Sequence, residues 1–187
     1  FSLSRGLGDV YKRQGLFIGG GFPEISAAKI SKNKNLKKEI KKYIDSGRPC
    51  YSESAGLMYL SSSIKFKNKK HKMVGVIPGN IDMLEKPVGR GYVKLRTTKN
   101  HLWGIKENIL INAHEFHHAN INFKNNIKRK FAYNVNRGYG INGLNDGFQY
   151  KNLLANFSHL RHTKKTPWIK HFIKFIHIRN NFISHSF

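Results

Sequence analysis

The residues best placed to attack a carbonyl lie in Pro49-Cys-Tyr-Ser-Glu-Ser-Ala-Gly-Leu-Met-Tyr-Leu60. Cys50 and Tyr51 are β-prone, the next residues are small, and Leu57, Met58 and Leu60 share one helical face. The stretch therefore predicts a strand that turns sharply into a helix, with Ser54 at the turn. Such a turn is a nucleophile elbow. It exposes the side chain at its apex, and the backbone N–H groups that follow can face an oxyanion at a helix N-terminus. Taken alone, small residues after a strand also describe any βα turn.

A second constellation is His114-Glu-Phe-His-His118, which has the H-E-x-x-H spacing of zinc proteases. That chemistry needs a helix, so that two histidines one turn apart share the metal. The flanks, Ile109-Leu-Ile-Asn and Asn120-Ile-Asn-Phe, favour strand instead. In a strand His114 and His118 stand about 13 Å apart, too far for one ion, and no metal site is expected. Cys50 is the one cysteine, which excludes a disulfide framework and a thiolate zinc site and fits a reducing cytoplasm. Four residues before Ser54 in a strand, it is expected on the order of 13 Å away, as a small buried hydrophobe.

The elements that must carry these groups alternate between strand and helix at first. Leu16-Phe-Ile18 reads as a short buried strand ending in Gly19-Gly20-Gly21, where the glycines suit either a turn or a close backbone approach. Ser26 to Tyr43 reads as one helix, with Ala27, Ile30, Leu36, Ile40 and Ile44 on one face and lysines opposite. Asp45-Ser-Gly-Arg-Pro49 breaks it and leads into the elbow strand. This alternation implies a parallel sheet with helices on its faces. Beyond Leu60, the runs Met73–Ile77, Gly91–Arg96, Ile109–Asn112, Asn120–Phe123 and Lys130–Asn134 are β-like and separated by Gly, Asn or Lys, which suggests an antiparallel addition to the sheet. Trp168, Phe172 and Phe175 recur at helical spacing, so Trp168–Ile176 is expected to close the domain as a docked helix, with 179–187 a frayed tail.

At 187 residues the chain is long enough for one domain with a real core. Lys and Arg number 34 against 10 Asp and Glu, a formal charge of +24. The basic residues are scattered through Lys32–Lys42, Lys65–Lys72 and Lys124–Lys130 without an aromatic-interleaved motif, which argues for a solvated surface rather than specific nucleic-acid binding. That surface could help to attract a polycarboxylate. No apolar run approaches the roughly 20 residues that span a bilayer, and no membrane association is expected. Asp9-Val-Tyr-Lys-Arg-Gln14 back-translates readily to a transposon end used in library preparation. Residues 1–14 are read as an assembly artefact, leaving 15–178 as the folded, N-terminally truncated domain.

Five segments occur in one order: Gly15-Leu-Phe-Ile-Gly-Gly-Gly-Phe-Pro-Glu24, the elbow, Met73-Val-Gly-Val-Ile-Pro-Gly79, His114-Glu-Phe-His117 and Asn152-Leu-Leu-Ala-Asn-Phe-Ser-His159-Leu. Together they resemble the C-terminal type-1 glutamine amidotransferase domain of the cobyrinate (hydrogenobyrinate) a,c-diamide synthases, over Gly15 to about Phe175. The resemblance implies an α/β, class I amidotransferase-like (flavodoxin-like) sheet. It also implies hydrolysis of glutamine by a nucleophile at position 54, a base at His159, and an oxyanion hole from backbone N–H groups near Gly20, Gly21 and Ala55. His114, Glu115 and His117 are expected in the active region. The family writes Glu-Cys-Gly-Gly where this chain has Glu53-Ser54-Ala55-Gly56, so the thiol is replaced by a hydroxyl, which ionises far less readily. Many type-1 amidotransferases carry a glutamate two residues after the histidine; Arg161 stands there, and no acid is assigned to orient His159.

The parent enzyme implied is a ligase of cobalamin biosynthesis, taking glutamine and a corrinoid polycarboxylate. Its ATP and Mg2+ are expected in a separate N-terminal domain, since no G-x-x-x-x-G-K-S/T occurs in this chain. No cofactor is expected in the fragment, and alone it is expected to amidate nothing. The alternatives are a degenerate domain of the same fold without glutaminase activity and a basic nucleic-acid-binding module.

Overall fold

The computed structural model describes residues 14–124 and 128–184, with side chains described as far as Asn180. The artefact reading of the N-terminus therefore lies outside the described residues except at Gln14. Strand β1 (Leu16–Ile18) leads through the glycines to α1 (Ala27–Lys32) and α2 (Lys34–Asp45), then to β2 (Cys50–Glu53) and α3 (Ala55–Leu60). Strands β3 (Ser61–Phe66), β4 (Lys69–Lys72), β5 (Ile77–Met83), β6 (Gly89–Thr97), β7 (Leu110–His117), β8 (Ala119–Phe123) and β9 (Lys130–Arg137) follow. The chain continues through β10 (Asn145–Tyr150), β11 (Leu153–Asn156) and β12 (His159–Leu160) to α4 (Trp168–Ser184).

The strands form an eight-stranded sheet, ordered β1-β2-β11-β10-β9-β6-β7-β12, and a four-stranded sheet, β4-β3-β5-β8. Pairings β1–β2 and β2–β11 are parallel, and from β11 to β12 every neighbour is antiparallel. The expected parallel α/β half with an antiparallel addition is thus present. A sheet covered on both faces needs residues of alternate parity in two cores, and the central strands supply them. Cys50, Leu153 and Ala155 enter the core beneath α1–α3 and the smaller sheet, with Ile44, Leu57, Ile77 and Phe157. Tyr51 and Leu154 enter the opposite core, with Leu95, Trp103, Phe172 and Phe175.

Several boundaries differ from expectation. The helix expected over Ser26–Tyr43 is two helices, because Asn33 interrupts it and its side chain accepts the Leu36 N–H at 3.1 Å as the cap of α2. Strand β1 is an edge strand rather than a buried one, with Phe17 half exposed. The β-like run Met73–Ile77 is mostly an extended connection hydrogen-bonded to Tyr59, Leu60, Ser61 and Ser62, and the strand itself begins at Ile77. The basic stretch around Lys65–Lys72 forms the β3–β4 hairpin, with Lys67 and Asn68 at positive φ in its turn. Helix α4 extends to Ser184, eight residues past the last aromatic-spaced turn at Ile176. No helix among the described residues is long and apolar enough to cross a membrane.

Candidate active site

Ser54 stands between the end of β2 and the start of α3 with φ 47° and ψ −104°. A non-glycine residue in that region carries backbone strain, the conformation an elbow imposes on its apex. The neighbours hold it there. Its N–H donates to the Asn156 carbonyl at 2.7 Å, and its carbonyl accepts the Met58 N–H at 3.1 Å. Helix α3 can lie this close to β1 because residue 56 is glycine: a Cβ there would meet the Ile18 carbonyl oxygen at 2.2 Å. Ser54 lines a narrow pocket together with Gly21, Phe22, Glu24, Met58 and His117.

The parallel pairing of β2 with β11 carries the chain to His159. Asn156 lies opposite Glu53, and three residues later His159 begins β12, paired to β7 at His114. Buried Asp146 fixes the intervening corner by accepting the Phe157 N–H at 3.0 Å and the Ser158 N–H at 2.9 Å. The His159 ring stacks on that of His114, with centroids 4.9 Å apart. Its Nδ1 lies 3.2 Å from Glu53 Oε2. Gly20 lies against the same ring, and a Cβ at that position would come within 2.7 Å of His159 Cε1.

Glu53 is the carboxylate that meets His159, a pairing that sequence reasoning did not assign. Its Oε1 accepts the Leu160 N–H at 3.0 Å and the Tyr51 hydroxyl, which in turn accepts from Asn156 Nδ2 at 3.2 Å. Tyr51 is fully buried among Phe17, Trp103, Trp168 and Phe172, so the carboxylate is anchored to the core of the domain. Burial, then the Glu53 charge, holds the Tyr51 phenol well above its ordinary range, which keeps it a donor. With Nδ1–H donated to Glu53, the neutral imidazole carries its lone pair at Nε2, the atom that can accept a proton. One signal in the sequence could have found this acid: it sits next to the nucleophile position, at the end of the strand that β11 must pair.

The H-E-x-x-H segment is strand β7, and its alternation divides the expected active-region residues. His114 is on the exposed face with His159. Glu115 and His117 are on the buried face, where Glu115 accepts the Tyr139 N–H at 2.7 Å and the Gly140 N–H at 2.8 Å and so clamps the turn after β9. Burial pushes the Glu115 carboxyl up, but the neighbouring His117 and the bonds from the Gly140 and Tyr139 N–H groups together leave it below its ordinary value. His117 stacks on Phe157 at 4.2 Å and donates from Nδ1 to the Ala119 carbonyl at 3.0 Å, lining the Ser54 pocket. Cys50 is fully buried in the core beneath α3, and burial pushes its thiol pKa up. The structure thus groups positions 20, 53 and 114 around the His159 ring and positions 21 and 117 around the Ser54 pocket, and sets Glu115 to a structural task.

A histidine–carboxylate pair, His159 and Glu53, is placed at the end of the strand whose turn holds Ser54, and the chain has relatives among known proteins. Residues 7–167 match the CobB/CobQ-like glutamine amidotransferase domain. The chain is 37% identical over 159 residues to the cobyrinate a,c-diamide synthase of Archaeoglobus fulgidus, covering 85% of this chain and 34% of that protein. It is 38% identical over 146 residues to the same enzyme of Methanobrevibacter smithii, covering 78% and 31%. The chain therefore spans about a third of the length of these curated relatives. Among solved structures, a glutamine amidotransferase from Thermotoga maritima aligns with TM-score 0.56 at 12% identity, over 96% of this chain and 69% of that one. PurLQS from the same organism aligns with TM-score 0.58, also at 12% identity, over 87% and 78%. The two core layers, the strained elbow at Ser54 and the sequence match together show that this chain belongs to the CobB/CobQ-like glutamine amidotransferase domain family.

Proposed function

We propose that this domain is the glutamine-hydrolysing part of an ATP-dependent cobyrinate-type a,c-diamide synthase, with Ser54 at the nucleophile position. The observation that carries the reading is the Glu53–His159 pair directly beside the strained elbow. In the proposed reaction the residue-54 nucleophile adds to the glutamine carboxamide carbon while His159 Nε2 takes its proton. The oxyanion is met by backbone N–H groups at Gly21 and Ala55. His159 then returns the proton to the departing nitrogen, ammonia leaves, and water attacking the acyl intermediate releases glutamate. Ammonia is consumed by two corrinoid carboxylates activated with ATP and Mg2+ in another domain of the parent protein.

The hydroxyl at Ser54 favours a second reading, in which the domain keeps the fold and binds ammonia's source weakly or not at all. An alcohol has no thiolate fraction to draw on, so its attack rests entirely on the base. Mass-spectrometric labelling by a chloroketone analogue of glutamine separates the two. Low labelling of Ser54 together with strong labelling of Ser54→Cys supports a glutamine site that has exchanged its nucleophile. Absence of labelling in a folded Ser54→Cys variant supports the degenerate domain.

A further inference from the structure

A cleft of about 640 Å3 opens beside His114, on the solvent face of β6 and β7 and away from the Ser54 pocket, and the amidotransferase reading gives it no task. Its polar lining is Lys94, Asn112, His114, Arg137, Arg161 and His162, and no Asp or Glu among the described residues lines it. That volume is within the range of small-molecule sites.

Two features occur together at this cleft, the first of which is shared with the Lys65–Lys70 pair of the β3–β4 hairpin. Lys94 is directly opposite Arg137 in the β6–β9 register, at the point where the register shifts. Like charges in directly opposed positions destabilise a sheet unless an anion lies between them. The cations are also ordered. Arg137 on β9, Lys94 on β6 and Arg161 just past the end of β12 flank the neutral Asn112 on β7, with Lys94 opposite Asn112 and the Arg161 N–H donating to the Asn112 carbonyl at 3.1 Å. At the usual spacing between strands the row is about 14 Å long. A single anionic group can meet one or two of these side chains; a ligand with several can meet the row.

We propose that the cleft binds a small oligoanionic ligand, one carrying two or more carboxylate or phosphate groups separated by roughly 5–14 Å. The ligand lies on the His114 side of the His159 ring, so its occupancy bears on the base from outside the Ser54 pocket. This inference does not rest on the amidotransferase reading. Among the described residues the cleft is lined by one phenol, Tyr92, two imidazoles and no Phe or Trp, a poor platform for successive bases that favours a small anion over single-stranded nucleic acid.

Calorimetric titration of the full chain in 150 mM NaCl, with butanetetracarboxylate and separately with tripolyphosphate, tests the proposal. Wild type should bind at least one of them with a stoichiometry near one, and the tighter of the two assigns the carboxylate or phosphate source. A Lys94→Gln/Arg137→Gln/Arg161→Gln variant should lose about tenfold or more in affinity, whereas Lys29→Gln/Lys34→Gln/Lys38→Gln, which removes the same charge from the α1–α2 face, should lose less than about twofold. Without ligand, Lys94→Gln alone should raise the melting temperature by relieving the opposition to Arg137. Equal losses in the two triple variants, saturation by many anions per chain, or no binding of either anion to folded wild type would overturn the proposal. So would preferential binding of single-stranded DNA through the same three residues.

Discussion

Replacing Glu53 by Gln tests the site at the atom on which its chemistry depends. The carboxylate accepts three hydrogen bonds: from Tyr51 and the Leu160 N–H at Oε1, and from His159 Nδ1 at Oε2. The Leu160 N–H is a fixed main-chain donor, so a glutamine must place its oxygen there and turn its NH2 toward His159. Nδ1 must then accept, and the proton moves to Nε2, the atom required as base. A wrong-tautomer substitution of this kind in the serine-protease triad costs on the order of 10^4 in rate, equivalent to about 5 kcal/mol in the barrier. Folding should suffer less, by about 1–3 kcal/mol, because two of the three bonds survive unchanged and the third is reversed in direction. The assay is the second-order rate of chloroketone labelling in a Ser54→Cys background, with and without Glu53→Gln. Nitrogen-15 NMR of the histidines provides a second reading and should show the proton moving from Nδ1 to Nε2 of His159. A folded double variant that labels within about threefold of its parent, with the His159 tautomer unchanged, would refute the assignment of Glu53 as the orienting acid.

Further expectations follow from individual contacts. Gly56→Ala drives a methyl into the Ile18 carbonyl and should cost about 1–3 kcal/mol in chemical denaturation, whereas Gly20→Ala should leave stability less affected and slow labelling of Ser54→Cys by displacing the His159 ring. His101 is buried, accepts the Trp103 N–H at Nδ1 and meets the Tyr133 hydroxyl at Nε2; burial, then the His171 charge, lowers its pKa from 6.5 to about 3. The unfolded chain therefore binds a proton that the native chain refuses, so this contribution to stability is intact above pH 6.5 and declines as pH falls toward 3. At pH 5 the loss is about 2 kcal/mol, and a melting temperature that stays flat from pH 7 to 5 relative to His101→Asn would contradict it. Cys50 should resist thiol reagents in the native protein and react only on unfolding, as measured by mass spectrometry with and without denaturant.

Local chemistry made some of this legible in the residues alone. The elbow could be read because a β-prone run, small residues and a helical apolar face are contiguous, and none of the three signals needs a distant partner. The same holds for the strand character of His114–His117, where β-prone flanks outweigh a metal-site spacing, and for Cys50, which opens the buried strand. The helix break at Asn33 was present in the sequence as a capping residue, but the apolar periodicity of Ala27, Ile30, Leu36 and Ile40 runs across it and hides it. Pairing decided the rest. The place of Glu53 beside the turn is the one local hint, and it does not say that the carboxylate meets His159, 106 residues away; that contact exists because β11 pairs in parallel with β2 and delivers the corner after Asn156 to the end of that strand. The second sheet and the row from Arg137 to Arg161 arise in the same way. A strand's period determines which residues share a face, but which strands lie side by side, and in what register, is a property of the whole folded chain.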